Sequence, residues 1–172
     1  MSAEARYESR ETPNGREFHL GDILSITTGR LVSPRHVDGV YDLLNFMTGD
    51  NLYTHQLPRA SDECKPYLLM EMPWLGEIDA SNVNSNNWQK WLKQQVEERG
   101  EYHEVRRIHQ EDHEVIDPID ELRRMGVDES KIITIDTSKE EPISPYGDIN
   151  FGNKGNQSAE EDEDINNGFS PN

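Results

Sequence analysis

Phe18-His19-Leu20-Gly21-Asp22-Ile23-Leu24-Ser25-Ile26-Thr27-Thr28-Gly29-Arg30-Leu31 opens the region, residues 18–69, that decides the fold. This region holds most of the apolar residues able to form a core. Its polar runs, Thr27-Thr28-Gly29-Arg30, Asn45-Phe46-Met47-Thr48-Gly49-Asp50-Asn51 and Thr54-His55-Gln56-Leu57-Pro58-Arg59, separate apolar-periodic segments. Leu20, Ile23, Leu24 and Ile26 recur at helical spacing and predict a short helix, which Gly29 ends because glycine takes left-handed dihedrals without strain. Ser33-Pro34 restarts the chain. Val37, Val40, Tyr41, Leu44, Phe46 and Met47 then predict a second helix that Gly49 terminates, and its greater apolarity marks it as the most buried one. Pro58 suits a first helical position, and residues 60–72 read as a third helix closed by Pro73, with Pro66 either delaying its start or kinking it.

Working outward, Asn84-Ser85-Asn86-Asn87 offers caps for a helix over residues 88–99, where Trp88, Trp91, Leu92, Gln95 and Val96 share one face and Gly100 ends the element. Residues 102–108 alternate and contain valine and isoleucine, which predicts a strand. Asp117-Pro118 is a cap with a first-turn proline before Ile119, Leu122 and Met125. The β-branched run Lys131-Ile132-Ile133-Thr134-Ile135 then predicts a second strand. Strand, helix and strand in that order favour a parallel βαβ unit with a right-handed crossover. The expected fold is therefore α+β: a helical part over residues 20–99 packed on a small two-stranded βαβ unit. Residues 1–16, polar and with a turn signal at Pro13-Asn14-Gly15, are expected to be a flexible arm. Residues 17–137 form one globular domain, and residues 138–172, with Glu160-Glu161-Asp162-Glu163-Asp164, an acidic disordered tail.

The chain has 172 residues, enough for one domain with a real core. Its 17 basic and 34 acidic side chains give a net charge of −17, which argues against direct DNA binding or an anionic membrane and favours a partner with a basic surface. No apolar run approaches the roughly 20 residues of a membrane span. Cys64 is the only cysteine, so no internal disulfide or paired-cysteine metal motif exists, which fits a reducing, cytoplasmic setting.

No catalytic signature is present, and no cofactor or metal is implied. The candidate binding residues are Thr28, Arg30, Asn45, Thr48, Asp50, His55 and Arg59. In Thr27-Thr28-Gly29-Arg30, hydroxyls and a guanidinium could surround an anion, although a helix C-terminus carries partial negative charge and the same residues make an ordinary cap. His55 with Arg59, Asn45, Thr48 and Asp50 forms a second polar cluster, where the imidazole serves as base, ligand or structural hydrogen-bonding group. Asp62 and Glu63 beside Cys64 oppose a reactive thiolate. His103, His109 and His113 with Glu111 and Asp112 supply metal-binding side chains but lack a His-Glu-x-x-His spacing. Trp88 and Trp91 could stack a base, but their stripe with Leu92 and Val96 is that of a core-facing helix.

The stretch over residues 18–31, together with Gly39-Val40-Tyr41-Asp42-Leu43-Leu44-Asn45-Phe46-Met47-Thr48-Gly49, His55-Gln56-Leu57-Pro58-Arg59-Ala60 and Ile116-Asp117-Pro118-Ile119-Asp120-Glu121-Leu122, resembles a small domain family of unknown function found in bacteriophage and bacterial genomes. The resemblance covers roughly residues 18–136 and brings no assigned activity. It implies a phage-encoded accessory protein in the host cytoplasm, a non-enzymatic binder or inhibitor of a host or defence component. Two other readings compete: a nucleotide-like small-molecule binder or enzyme built on the His55 and Arg59 cluster with Arg30, and an acidic mimic of nucleic acid.

Overall fold

The computed structural model describes residues 6–132. Five α-helices and a three-stranded antiparallel sheet make it an α+β fold. The elements are β1 (Arg10–Glu11), β2 (Arg16–His19), α1 (Leu20–Thr28), α2 (Val37–Thr48), α3 (Leu57–Glu71), α4 (Trp88–Arg99), β3 (Tyr102–Val105) and α5 (Pro118–Arg124). The predicted helix ends hold: Gly29 and Gly49 cap α1 and α2 with φ of 71° and 70°, the left-handed region open to glycine. The Asp117 carboxylate accepts the amides of Ile119 and Asp120, capping α5 above Pro118.

Helices α1, α2 and α3 pack mutually, and α1 is the central one. Every residue from Leu20 to Thr27 is buried, whereas α2, expected to be the most buried helix, exposes Asp38 and leaves Val37, Val40, Asp42 and Asn45 half-buried. Apolarity underestimates α1 because most of its polar residues find partners inside; Thr27 Oγ1 alone among them is buried without one among the described residues. Ser25 Oγ donates to the Gly21 carbonyl and accepts the Val32 amide, and Thr28 Oγ1 donates to the Leu24 carbonyl. The core assembled around α1 includes Phe18, Ile23, Leu24, Leu43, Leu44, Met47, Leu68 and Val105. In α4 only Leu92 is fully buried; Trp88, Trp91 and Val96 pack half-buried against the core. The asparagine run before α4 turns on itself: Asn84 Oδ1 accepts the amides of Asn86 and Asn87, and Asn87 gives no side-chain cap.

Three expectations are corrected. Residues 10–16 are a hairpin and not a free arm, because their polar side chains have partners in the fold. Ser9 Oγ and Arg16 both bond Asp42 of α2, Arg10 lies over the Tyr102 ring, and Thr12 bonds Gly15 to close the Pro13-Asn14 turn. Strand β3 exists as predicted, but its partner is β2, antiparallel, with Phe18 opposite His103 and His19 opposite Tyr102. Helix α3 runs unbroken through Pro66, which is exposed. Lys131 belongs to a single 3-10 turn, Glu129–Lys131. The predicted strand at residues 133–135 and the acidic tail lie outside the described residues. No helix among the described residues is long and apolar enough to cross a membrane.

Candidate functional site

Helix α3 and the 3-10 turn Thr54–Gln56 before it present three sides. Leu57, Ala60, Cys64 and Leu68 face the core. His55, Gln56, Arg59, Glu63 and Tyr67 meet the segment of residues 109–121, which crosses back over them. Thr54, Pro58, Ser61, Asp62 and Lys65 line an open cleft. The spacing of three and four residues on each side follows from 3.6 residues per turn.

The side facing residues 109–121 is a clasp of ion pairs. Arg59 donates through Nε to Glu121 Oε1 at 2.8 Å and through Nη1 to Glu63 Oε1 at 2.8 Å, and it also reaches the Glu114 carbonyl at 2.7 Å. Gln56 Nε2 donates to Glu121 Oε2 and to the Ile116 carbonyl. Hydrogen bonds from Arg59 and Gln56 lower the Glu121 pKa against the opposing effect of burial, and hydrogen bonds to Glu121 and Glu63 raise that of Arg59. The buried His113 ring lies between two carboxylates, with Nδ1 2.6 Å from Glu63 Oε2 and Nε2 3.0 Å from Asp50 Oδ2. His55 Nε2 lies 2.8 Å from the Pro118 carbonyl oxygen. All these groups are occupied by the fold itself.

A second network is deeper. Asp22, fully buried in α1, receives Arg35 at 2.7 Å and the Ser33 hydroxyl, and Arg35 also bonds Asp42. Burial raises the Asp22 pKa, opposed by Arg35 and Ser33. Burial and Glu63 push the Cys64 thiol up to about 12, so it stays an inert thiol near neutral pH.

The cleft encloses about 930 Å³ between the end of α1, the start of α2, α3 and the turn before α4. Its charged lining is Arg30, Lys65 and Asp62, and among the described residues none of the three forms an ion pair. His36 at the start of α2 and Trp88 at the start of α4 meet where two walls join, their rings 6.1 Å apart and steeply inclined. Hydroxyls of Ser25, Thr28, Ser61 and Ser85 and the apolar side chains Ile26, Val37, Val40 and Leu57 complete the lining. The predicted binding residues therefore divide. Thr28 and Arg30 border the cleft, while Asp50, His55 and Arg59 belong to the clasp, where His113 and Glu63 link Asp50 to Arg59. Asn45 Oδ1 accepts the Leu52 amide, and Thr48 Oγ1 donates to the Leu44 carbonyl, so both shape the turn after α2. His36, Asp62 and Lys65 were not legible as one site because His36 precedes α2 while Asp62 and Lys65 lie on α3, far along the chain. The one local signal was His36, wedged between the Ser33-Pro34 restart and the first residue of α2.

His103 packs on Trp74, His109 on Tyr67, and His113 on carboxylates, so the histidines of residues 103–113 diverge. Among the described residues no group of three His, Cys, Asp or Glu side chains is placed to hold a metal ion.

No curated protein and no solved structure matches the chain. Residues 18–78, which span β2 to α3 and supply three of the four walls of the cleft, match the family model described as a domain of unknown function, DUF7736.

Proposed function

We propose that the protein works by binding, and that the cleft between α1, α2, α3 and the 83–88 turn receives an anionic ligand. One observation carries this reading. In a chain of net charge −17, Arg30 and Lys65 line a concave surface without a carboxylate partner among the described residues. Cations left unpaired in a concavity, while Arg59 and Arg35 elsewhere are each paired with two carboxylates, are free to neutralise a ligand. Cys64 as the sole cysteine supports a reducing, cytoplasmic setting. The strongly acidic composition favours a second reading, in which a host or defence protein with a basic surface binds the exterior of this phage-type accessory domain.

Calorimetric titration with inorganic phosphate, citrate, nucleotides and an acidic peptide tests the cleft. At least one of these is expected to bind, and Arg30→Ala with Lys65→Ala to weaken it by about tenfold or more, since each charged hydrogen bond contributes roughly 1.5–3 kcal/mol. Absence of binding by all four probes, or affinity unchanged in the double variant, overturns the reading.

A further inference from the structure

Resting on the anionic cleft, we propose that its ligand is of the nucleoside monophosphate class, with the ring held at His36 and Trp88 and the phosphate at Arg30 and Lys65. The observation that goes beyond charge is the backbone at His36. Its φ of 54° and ψ of −137° make it the only non-glycine residue with positive φ among the described residues. That region suits glycine, and a β-carbon there is strained. Strain of this kind persists where surrounding structure enforces it, and it concentrates at ligand clamps. Here it sets an exposed imidazole beside Trp88 on the cleft wall. His36 is the N-cap residue of α2 and its amide donates to the Ser33 carbonyl, but its ring makes no capping bond to the helix and faces the cleft.

The remaining lining decides the class. Asp62, without an ion-pair partner among the described residues, offers an acceptor for sugar hydroxyls, and Arg30 and Lys65 offer donors for a phosphate. The exposed His36 ring and the half-buried Trp88 ring offer the stacking surface a base requires. An extended peptide would pair with a strand edge, but no lining residue lies on a strand. The enclosed volume falls in the range of small-ligand pockets.

The test uses the full chain and calorimetry with adenosine monophosphate, guanosine monophosphate, adenosine, ribose 5-phosphate, inorganic phosphate and an acidic peptide. At least one nucleoside monophosphate is expected to bind about tenfold more tightly than adenosine, ribose 5-phosphate or phosphate, with quenching of tryptophan fluorescence. Trp88→Leu should reduce its affinity to that of ribose 5-phosphate, and Trp88→Phe should keep most of it. His36→Gly relieves the strained dihedral, so its thermal midpoint should equal or exceed that of the parent while nucleotide affinity drops severalfold. A merely structural His36 would leave affinity unchanged, and that result overturns the ring clamp even if the Trp88 variants fail to fold. Equal affinity for ribose 5-phosphate and the nucleotides, or binding of the acidic peptide alone, overturns the nucleotide class and leaves the anionic cleft standing. If no probe binds, both fall.

Discussion

At Gly39 the α2 backbone passes so close to the buried charge network that a Cβ would lie 2.1 Å from Asp22 Oδ1 and 2.3 Å from Ser33 Oγ. Neither atom can yield, because each is held in a hydrogen bond to the other and Asp22 is tied to Arg35. Gly39→Ala should therefore destabilise by about 2–3 kcal/mol in urea unfolding, although alanine is the better helix former by about 1 kcal/mol. A neutral stability change would show that the network can shift. His19 is the N-cap of α1, and its Nδ1 accepts the Gly21 amide at 2.9 Å, which requires that nitrogen to be unprotonated. Burial lowers its pKa below 6.5, outweighing Asp22 and Glu101, which raise it. The unfolded chain then binds more protons than the folded one below about pH 6.5, so this contribution is full above that pH and is lost as pH falls toward the folded pKa. Asp22, whose pKa is raised by burial, tilts the profile the other way, so the absolute slope is the sum of two opposed contributions. The difference between parent and His19→Asn isolates the effect, since Asn caps without titrating. The variant should lose less stability between pH 7 and pH 5, and equal losses would remove His19 from the account.

Helix α3 carries the core, the clasp and the cleft on three sides of one element. Pro66 sits on its exposed surface, where it deprives the Asp62 carbonyl of an amide donor. Pro66→Ala is expected to stabilise by about 1–2 kcal/mol, less than the roughly 3 kcal/mol of an interior proline because the unfolded chain also gains freedom. Arg59→Ala should do the reverse, by about 3 kcal/mol, as it leaves the buried Glu121 and half-buried Glu63 facing each other without a cation. Amide exchange in residues 113–124 should rise in that variant before exchange in α1 does. The clasp also has an acid limit: because Arg59 and Gln56 lower the Glu121 pKa, its contribution is present above about pH 4.5 and is lost as pH falls through the folded value. Exchange that rises first in α1 would show that the clasp and core unfold together.

Across the whole molecule, the hairpin couples the start of the described chain to the sheet and to α2. Arg6 contributes a carbonyl to Tyr102 Oη at 2.9 Å, Tyr7 meets the His19 ring edge-on, and Ser9 bonds Asp42. A chain beginning at residue 16 should lose more than about 5 °C of thermal midpoint, roughly 1 kcal/mol for a domain of this size. No change would mean that β1 rests on the fold without stabilising it.

Helix ends were legible in the residues alone, because glycine at positive φ, Asp117 before Pro118, and apolar spacing act over a few neighbours: Gly29, Gly49 and α5 needed no tertiary information. Even β3 could be read from its alternation. What only the tertiary structure decided was partnership. The polar residues 9–16 look unfit for a core until Asp42 and Tyr102 receive them, and the polar α1 looks shallower than it is until Ser33 and Arg35 satisfy Asp22. His55 and Arg59 read as a polar cluster open to a binding or a structural role, and only the fold shows that residues 109–121 bond them, while Arg30, His36, Asp62, Lys65 and Trp88 from four segments become one cleft. The division is physical: propensity and capping are local in sequence, whereas which charges are neutralised and which stay open depends on contacts between residues far apart in the chain.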